Sequence, residues 1–154
     1  MAMSRNESSE PQAIGQLLVR LLRQFRSELA APRIDRGYQD VRDAHMHVFG
    51  AIRTGHVRLT EIAARAQLSL SATSELVNEL VSLGYLARRA DPSDGRAKLV
   101  VLTERGEKLM RDAGERVAEI QVHWANIVGA ERFRAACTVM QELLDALDPA
   151  DSRR

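Results

Sequence analysis

Four cations fall within residues 88–98: Arg88, Arg89, Arg96 and Lys98. Asp91 and Asp94 stand among them, which leaves a local surplus of two positive charges. Such a cluster neutralises phosphates, and an arginine at a hairpin tip can enter a narrow minor groove. Upstream, Ser71, Glu75 and Asn78 fall on the outward face of a predicted helix that Ser69 caps, with Ser74 flanking them and Thr73, Leu76, Val77 and Leu80 inward. Short polar side chains on an outward helical face suit base edges and phosphates. A carboxylate at 75 repels phosphate but can accept from cytosine N4. The alternative for Glu75 and Glu79 is a pair of solvated surface charges. The chain as a whole carries a net charge of only +1, so any basic footprint is local.

Other chemistries are poorly supplied. His45 and His47 sit two positions apart on a helix and diverge by about 200°, so one ion cannot take both. His45 falls on an apolar stripe, where hydrogen-bonded packing leads over a place in a ligand pocket or on a metal. Cys137 lies on the apolar face of the last helix with no His or Lys beside it, which reads as a buried structural thiol. A single cysteine in 154 residues also excludes an internal disulfide. Phosphate-binding loops, dinucleotide turns, Cys-x-x-Cys pairs and nucleophile elbows are missing, so neither an enzyme nor a cofactor or metal protein is expected. Six aromatic residues are too few for a base-stacking platform. No apolar run approaches the ~20 residues of a membrane span, and the first residues lack a secretory core. The expectation is a cytoplasmic protein. Hydrophobic residues at 45% and charged residues at 28% fit an ordinary globular fold.

Periodicity places these residues on elements. Residues 1–8 are polar and expected to be disordered. From Ser9, apolar residues Ile14, Leu17, Leu18, Leu21, Leu22, Phe25 and Leu29 mark one helical face, and Ala31-Pro32 should end it. A second helix is expected from near Asp40 to Gly55, with Val41, His45, Val48, Phe49 and Ile52 inward. Thr60 should cap a short third helix, and Ser69 a fourth that Gly84 ends. The period then drops to two. Residues 85–89 and 97–102 read as strands around the turn-rich run 91–95. Thr103 should cap the longest helix, to about Val128, and a last helix follows Gly129 before Pro149. Two short helices, a turn and a hairpin describe a winged helix-turn-helix, with the helix after Ser69 as the reader. The fold class is therefore mainly α with a small β-hairpin wing.

The residues Leu59-Thr60-Glu61-Ile62-Ala63, Leu76-Val77 with Leu80, and the run from Gly84 to Gly106 resemble the MarR family of transcriptional regulators. The specific part is the Asp-Pro-x-Asp-x-Arg wing, Asp91 to Arg96, followed by Leu102-Thr103-x-x-Gly106. The resemblance implies an obligate homodimer that binds a pseudo-palindromic operator in double-stranded DNA. It also implies the division of the chain: a helical dimerisation region at 9–37 and 103–148, and a winged DNA-binding region at 39–102. The apolar stripes of the flanking helices, wider than one small lobe can bury, favour a dimer independently. The expected function is a repressor released by a small aromatic or phenolic effector. The competing class is a winged protein-interaction module with weak or no DNA binding. Phe25, Tyr38, His45 and Phe49 are the expected effector pocket, with plain core packing as the alternative. Arg96 keeps the family's minor-groove position, and Asp94 is expected to orient its guanidinium. The sequence departs from the pattern at Glu75 and Glu79, where the reading helix usually carries arginine, and at Gly95, where the wing tip usually carries a second one.

Overall fold

The structure, a computed structural model, describes residues 13–52 and 56–147. Along the chain it has α1 (Ile14–Asp35), α2 (Asp43–Ala51), β1 (His56–Arg58), α3 (Leu59–Ala66), α4 (Leu70–Ser82), β2 (Leu86–Asp91), β3 (Asp94–Leu102), α5 (Glu104–Val128) and α6 (Ala130–Leu147). It is mainly α with a small antiparallel sheet, as the residue pattern predicts. The expected disordered stretch 1–8, the stop at Gly55 and Pro149 lie outside the described residues.

The core of the winged lobe gathers Val41, Val48, Phe49, Ile52, Val57, Ile62, Val77, Leu80, Tyr85, Leu86 and Val100, with Leu109 of α5 closing it. The strands run in the order β1-β3-β2, all antiparallel. β1 is an addition to the sequence reading. Three residues are too few to show alternation, yet Val57 is buried and pairs with Val100. The hairpin is tighter than expected: only Pro92 and Ser93 separate β2 from β3. Asp91 makes this possible, because its Oδ1 accepts from the Ser93 N–H at 2.9 Å and the Ser93 hydroxyl at 2.7 Å.

Several helix ends differ from the sequence reading, each for a local reason. α1 runs through Pro32 to Asp35. Proline has no N–H for the carbonyl four residues back, that of Glu28. Arg116 Nε donates to that oxygen instead, at 3.0 Å. α2 starts at Asp43, not Asp40, because the Asp40 carboxylate is engaged elsewhere: it accepts from the Tyr85 hydroxyl at 2.7 Å and pairs with Arg105 at 2.9 Å. Thr60 is inside α3 rather than at its cap. The N-cap is Arg58, whose N–H donates to the Glu61 carboxylate at 3.0 Å. Ser69 and Thr103 do cap their helices, accepting from the N–H of Ala72 and of Gly106 at 3.1 Å each.

The joint between wing and α5 is close. The Thr103 hydroxyl donates to the carbonyl of Gly84 or Tyr85, at 2.6 and 3.0 Å. Arg105 lies 4.2 Å over the Tyr85 ring and donates to the Leu83 carbonyl at 2.6 Å. Burial and the neighbouring Asp40 push the Tyr85 phenol well above its usual range, so it stays a neutral donor. Outside this lobe the helices expose apolar faces. Ile14, Leu18 and Val19 of α1 are half or more exposed, and so are Val139, Leu143, Leu144 and Leu147 of α6. No residue of α6 is buried. Cys137, expected to be buried, is half-buried in the single chain for the same reason.

Candidate nucleic-acid interface

α4 buries Thr73, Val77 and Leu80 and turns Ser71, Glu75, Asn78 and Glu79 outward, with Ser74 half-buried at the edge. Ser69 sits at the head of this face, its oxygen committed to the cap. The wing stands beside it. Arg88 of β2 donates to the Asn78 side-chain oxygen at 2.7 Å, which joins the outward face of α4 to the hairpin. Alternation puts Lys98, opposite Ala90, on the same side of the sheet as Arg88, while Arg89 points to the other side. All four wing cations are exposed.

The charge balance of the wing is more positive than a count along the chain suggests. Asp91 is buried and held by Arg58 of β1, through Nη2 at 2.6 Å and Nε at 3.1 Å. The Ser93 hydroxyl and N–H, with Arg58, pull its carboxyl down to about 2. Asp91 is thus already neutralised, and the four cations face only Asp94. Asp94 does not orient the Arg96 guanidinium as expected. Its carboxylate accepts from the Arg96 backbone N–H at 3.2 Å, so it shapes the turn, as an aspartate two residues back does. The guanidinium has no partner among the described residues.

The two carboxylates of α4 differ. Glu75 is exposed. Glu79 is not the solvated charge the sequence suggests. It accepts from His45 Nε2 at 2.8 Å and pairs with the Arg42 guanidinium. These bonds, that from His45 first, lower its carboxyl pKa. His45 is 1% exposed, and its Nδ1 accepts from the Arg42 N–H at 3.1 Å, which leaves Nε2 as the protonated nitrogen that donates to Glu79. Hydrogen-bonded packing is therefore its role. His47 is exposed, and no cluster of three metal-ligating side chains occurs among the described residues.

The four expected pocket residues do not converge. Phe25 and Phe49 line a groove of about 410 Å³ between α1, α2 and α5, with Leu22, Met46, Met110 and Val117 among its apolar walls and Arg26, Asp43 and His47 as its polar ones. Tyr38 lines an adjoining small cavity of about 30 Å³ that shares Leu29, Met46 and Ala113 with the groove. Its hydroxyl donates to Asp112 at 2.6 Å, and that carboxylate also holds Lys108 at 2.9 Å. Burial and the Asp112 carboxylate raise the Tyr38 pKa. His45 lines neither space, since its ring is turned to α4. Nothing in the residue pattern signals the Arg42–Glu79 or Arg58–Asp91 pairs, whose members lie more than thirty residues apart. Helical periodicity does not report contacts at that separation.

Residues 39–97 match the sequence model of the MarR family. This segment is similar to the MarR family. No curated protein matches the chain by sequence. Solved structures share its fold. The transcriptional regulator Tm0710 of Thermotoga maritima is 23% identical over 94% of this chain and all of its own, with a TM-score of 0.64. Wild-type MarR from E. coli is 20% identical over 88% of this chain and 99% of its own, at 0.72. BpsR of Bordetella bronchiseptica is 20% identical over 86% and 98%, at 0.66, and its structure describes regulation of DNA binding by 6-hydroxynicotinic acid. The MarR-family segment contains α4 and most of the wing, the elements that carry the polar face and the exposed cations. Among the described residues no helix is long and apolar enough to cross a membrane.

Proposed function

We propose that the chain is a homodimeric, sequence-specific DNA-binding transcriptional regulator, a repressor that a small aromatic effector releases. The observation that carries this reading is the Arg88–Asn78 bond, which makes one surface of a polar helix face and a cationic hairpin inside a MarR-family segment. In it α4 enters the major groove, where Ser71, Ser74, Glu75 and Asn78 meet base edges and Ser69 a phosphate. Arg96 enters the minor groove at the hairpin tip, with Asp94 shaping the turn. Arg88, Arg89 and Lys98 neutralise backbone phosphates. The pairing of Glu79 with Arg42 leaves Glu75 as the one carboxylate on this face open to DNA, which weakens the case for an acidic protein-binding helix.

The apolar residues that α1 and α6 leave in solvent support dimerisation. A second copy packed on them would take that apolar surface out of water. Two readers then meet half-sites about one helical turn, ~10 base pairs, apart. The effector would occupy the groove behind α2. Its apolar walls suit a ring, and Arg26 and His47 suit a carboxylate or phenol. BpsR, with its hydroxylated aromatic acid, is a fold relative of matching chemistry. Light scattering of the purified chain should give twice the monomer mass, and the chain should retard fragments of its own genome. A monomer that retards no fragment would overturn the reading.

A further inference from the structure

The helix α2 has two faces with different partners. Asp43, Met46, His47, Phe49 and Gly50 wall the groove. His45 projects away from most of that wall, about 130° around the helix from its centre at 100° per residue. There it meets α4. The contact is a closed set of three groups. His45 Nδ1 accepts from the Arg42 N–H, His45 Nε2 donates to the Glu79 carboxylate, and Glu79 also holds the Arg42 guanidinium. One ring nitrogen of a fully buried histidine thus anchors the ring to the start of its own helix, and the other holds a side chain of the reading helix. The grip falls on the last turn of α4, while Ser71 and Ser74 lie in its first turns. Glu79 and Ser71 are eight residues apart, about 12 Å along the axis. A small movement of the held end tilts the reading end by a lever.

We infer that this clasp couples the groove to the DNA-reading helix: Glu79, held by His45 and Arg42, is the positioning residue through which a displaced α2 moves α4. The inference rests on the function proposed above, with the groove as the regulated site. An occupant that widens the groove pushes α2, and the ion pair with the His45–Glu79 hydrogen bond carries that displacement to α4. Without the carboxylate, the two helices still share a core that includes Val48, Val77 and Leu80. Such contacts slide at less cost than a directional bond breaks.

The groove can be filled without any ligand. Gly114 lines it from α5, and a Cβ at that position meets no atom within 4 Å. Gly114→Phe therefore places a ring in the groove, and Gly114→Leu is the smaller substitute should the first not fold. Hydrogen exchange of α4 amides, with β3 as internal reference, is measured for each filler alone and with Glu79→Ala. The same four proteins are titrated with a DNA fragment that the unaltered chain retards. The clasp predicts that filling the groove changes α4 exchange and DNA affinity about fivefold or more, a typical lower bound for coupled sites. Glu79→Ala abolishes that response, and Glu79→Gln, which still accepts from His45, restores part of it. An equal response in both backgrounds means that packing alone carries the coupling and overturns the inference. No response in either background overturns it too. If the chain binds no DNA, the proposed function fails, and exchange still decides the clasp.

Discussion

Arg116 Nε donates to the Glu28 carbonyl at 3.0 Å, the oxygen that a proline at position 32 leaves without its helical N–H. The bond lets α1 run on past Pro32 and fastens it to α5, which also holds the Glu28 carboxylate through Trp124 Nε1 at 3.2 Å. Arg116→Ala should therefore destabilise the fold by about 1–2 kcal/mol, the cost of a half-exposed orphan acceptor. Pro32→Ala returns an N–H to the ladder and should recover most of that loss in the double variant. Urea unfolding of the four proteins measures it, and strictly additive effects would show that the two residues do not share the carbonyl.

Gly106 marks a close approach between the winged lobe and α5. A Cβ there would lie 2.2 Å from the Tyr85 carbonyl oxygen. Gly106→Ala must push α5 from the wing and strain the Thr103 cap, at about 1–3 kcal/mol by the usual cost of overpacking. Gly114→Ala, in open space on the same helix, should cost nothing or stabilise slightly. Thermal unfolding of both variants makes the comparison, and equal midpoints would contradict it.

Asp91 gives the wing a pH dependence with a definite sign. Its folded carboxyl is held at about 2 against an ordinary 3.8. The charged form therefore stabilises the fold above the ordinary value, and that contribution is lost as pH falls from about 4 through 2. Asp91→Asn should lower the melting temperature at neutral pH, with a difference from the unaltered chain that shrinks over that window. A difference that persists at pH 2 would mean that Asp91 acts through its shape and not its charge.

Arg96 and Lys98 are exposed and belong to the cationic wing. In the proposed role, replacing either by Ala weakens binding across sequences, and the slope of log K against log salt falls by about 1 for each phosphate no longer neutralised. Unchanged slopes would remove the wing from the DNA interface.

Glu75→Gln should behave differently. A carboxylate that accepts from cytosine N4 carries about 1–3 kcal/mol of discrimination at one base pair. The substitution should alter the preferred base at a single half-site position and raise general affinity slightly. An unchanged preference would make Glu75 a surface charge.

The elements that were legible in the sequence are those with many repeats of their period. α4, the hairpin and α5 show their inward stripes and their caps, Ser69 and Thr103. What was not legible depends on partners distant in the chain. Pro32 reads as a stop until Arg116 supplies the missing donor. Asp40 reads as the start of a helix until Tyr85 and Arg105 claim it. His45 shares a stripe with Phe49, and Tyr38 just precedes that helix, so the family resemblance groups them in one pocket. Tertiary bonds to Glu79 and Asp112 turn them away from the groove. The polar face of α4 was visible, but not that Arg42 neutralises one of its two carboxylates.

The central claim is that the surface joined by Arg88 and Asn78 reads DNA. It is tested most directly by selecting genomic fragments on the purified chain at two salt concentrations and sequencing what is retained. The expected result is a recovered pseudo-palindrome with half-sites about 10 base pairs apart, its retention abolished at the higher salt. No enrichment at either salt would contradict the claim and leave the winged lobe as a surface for another protein.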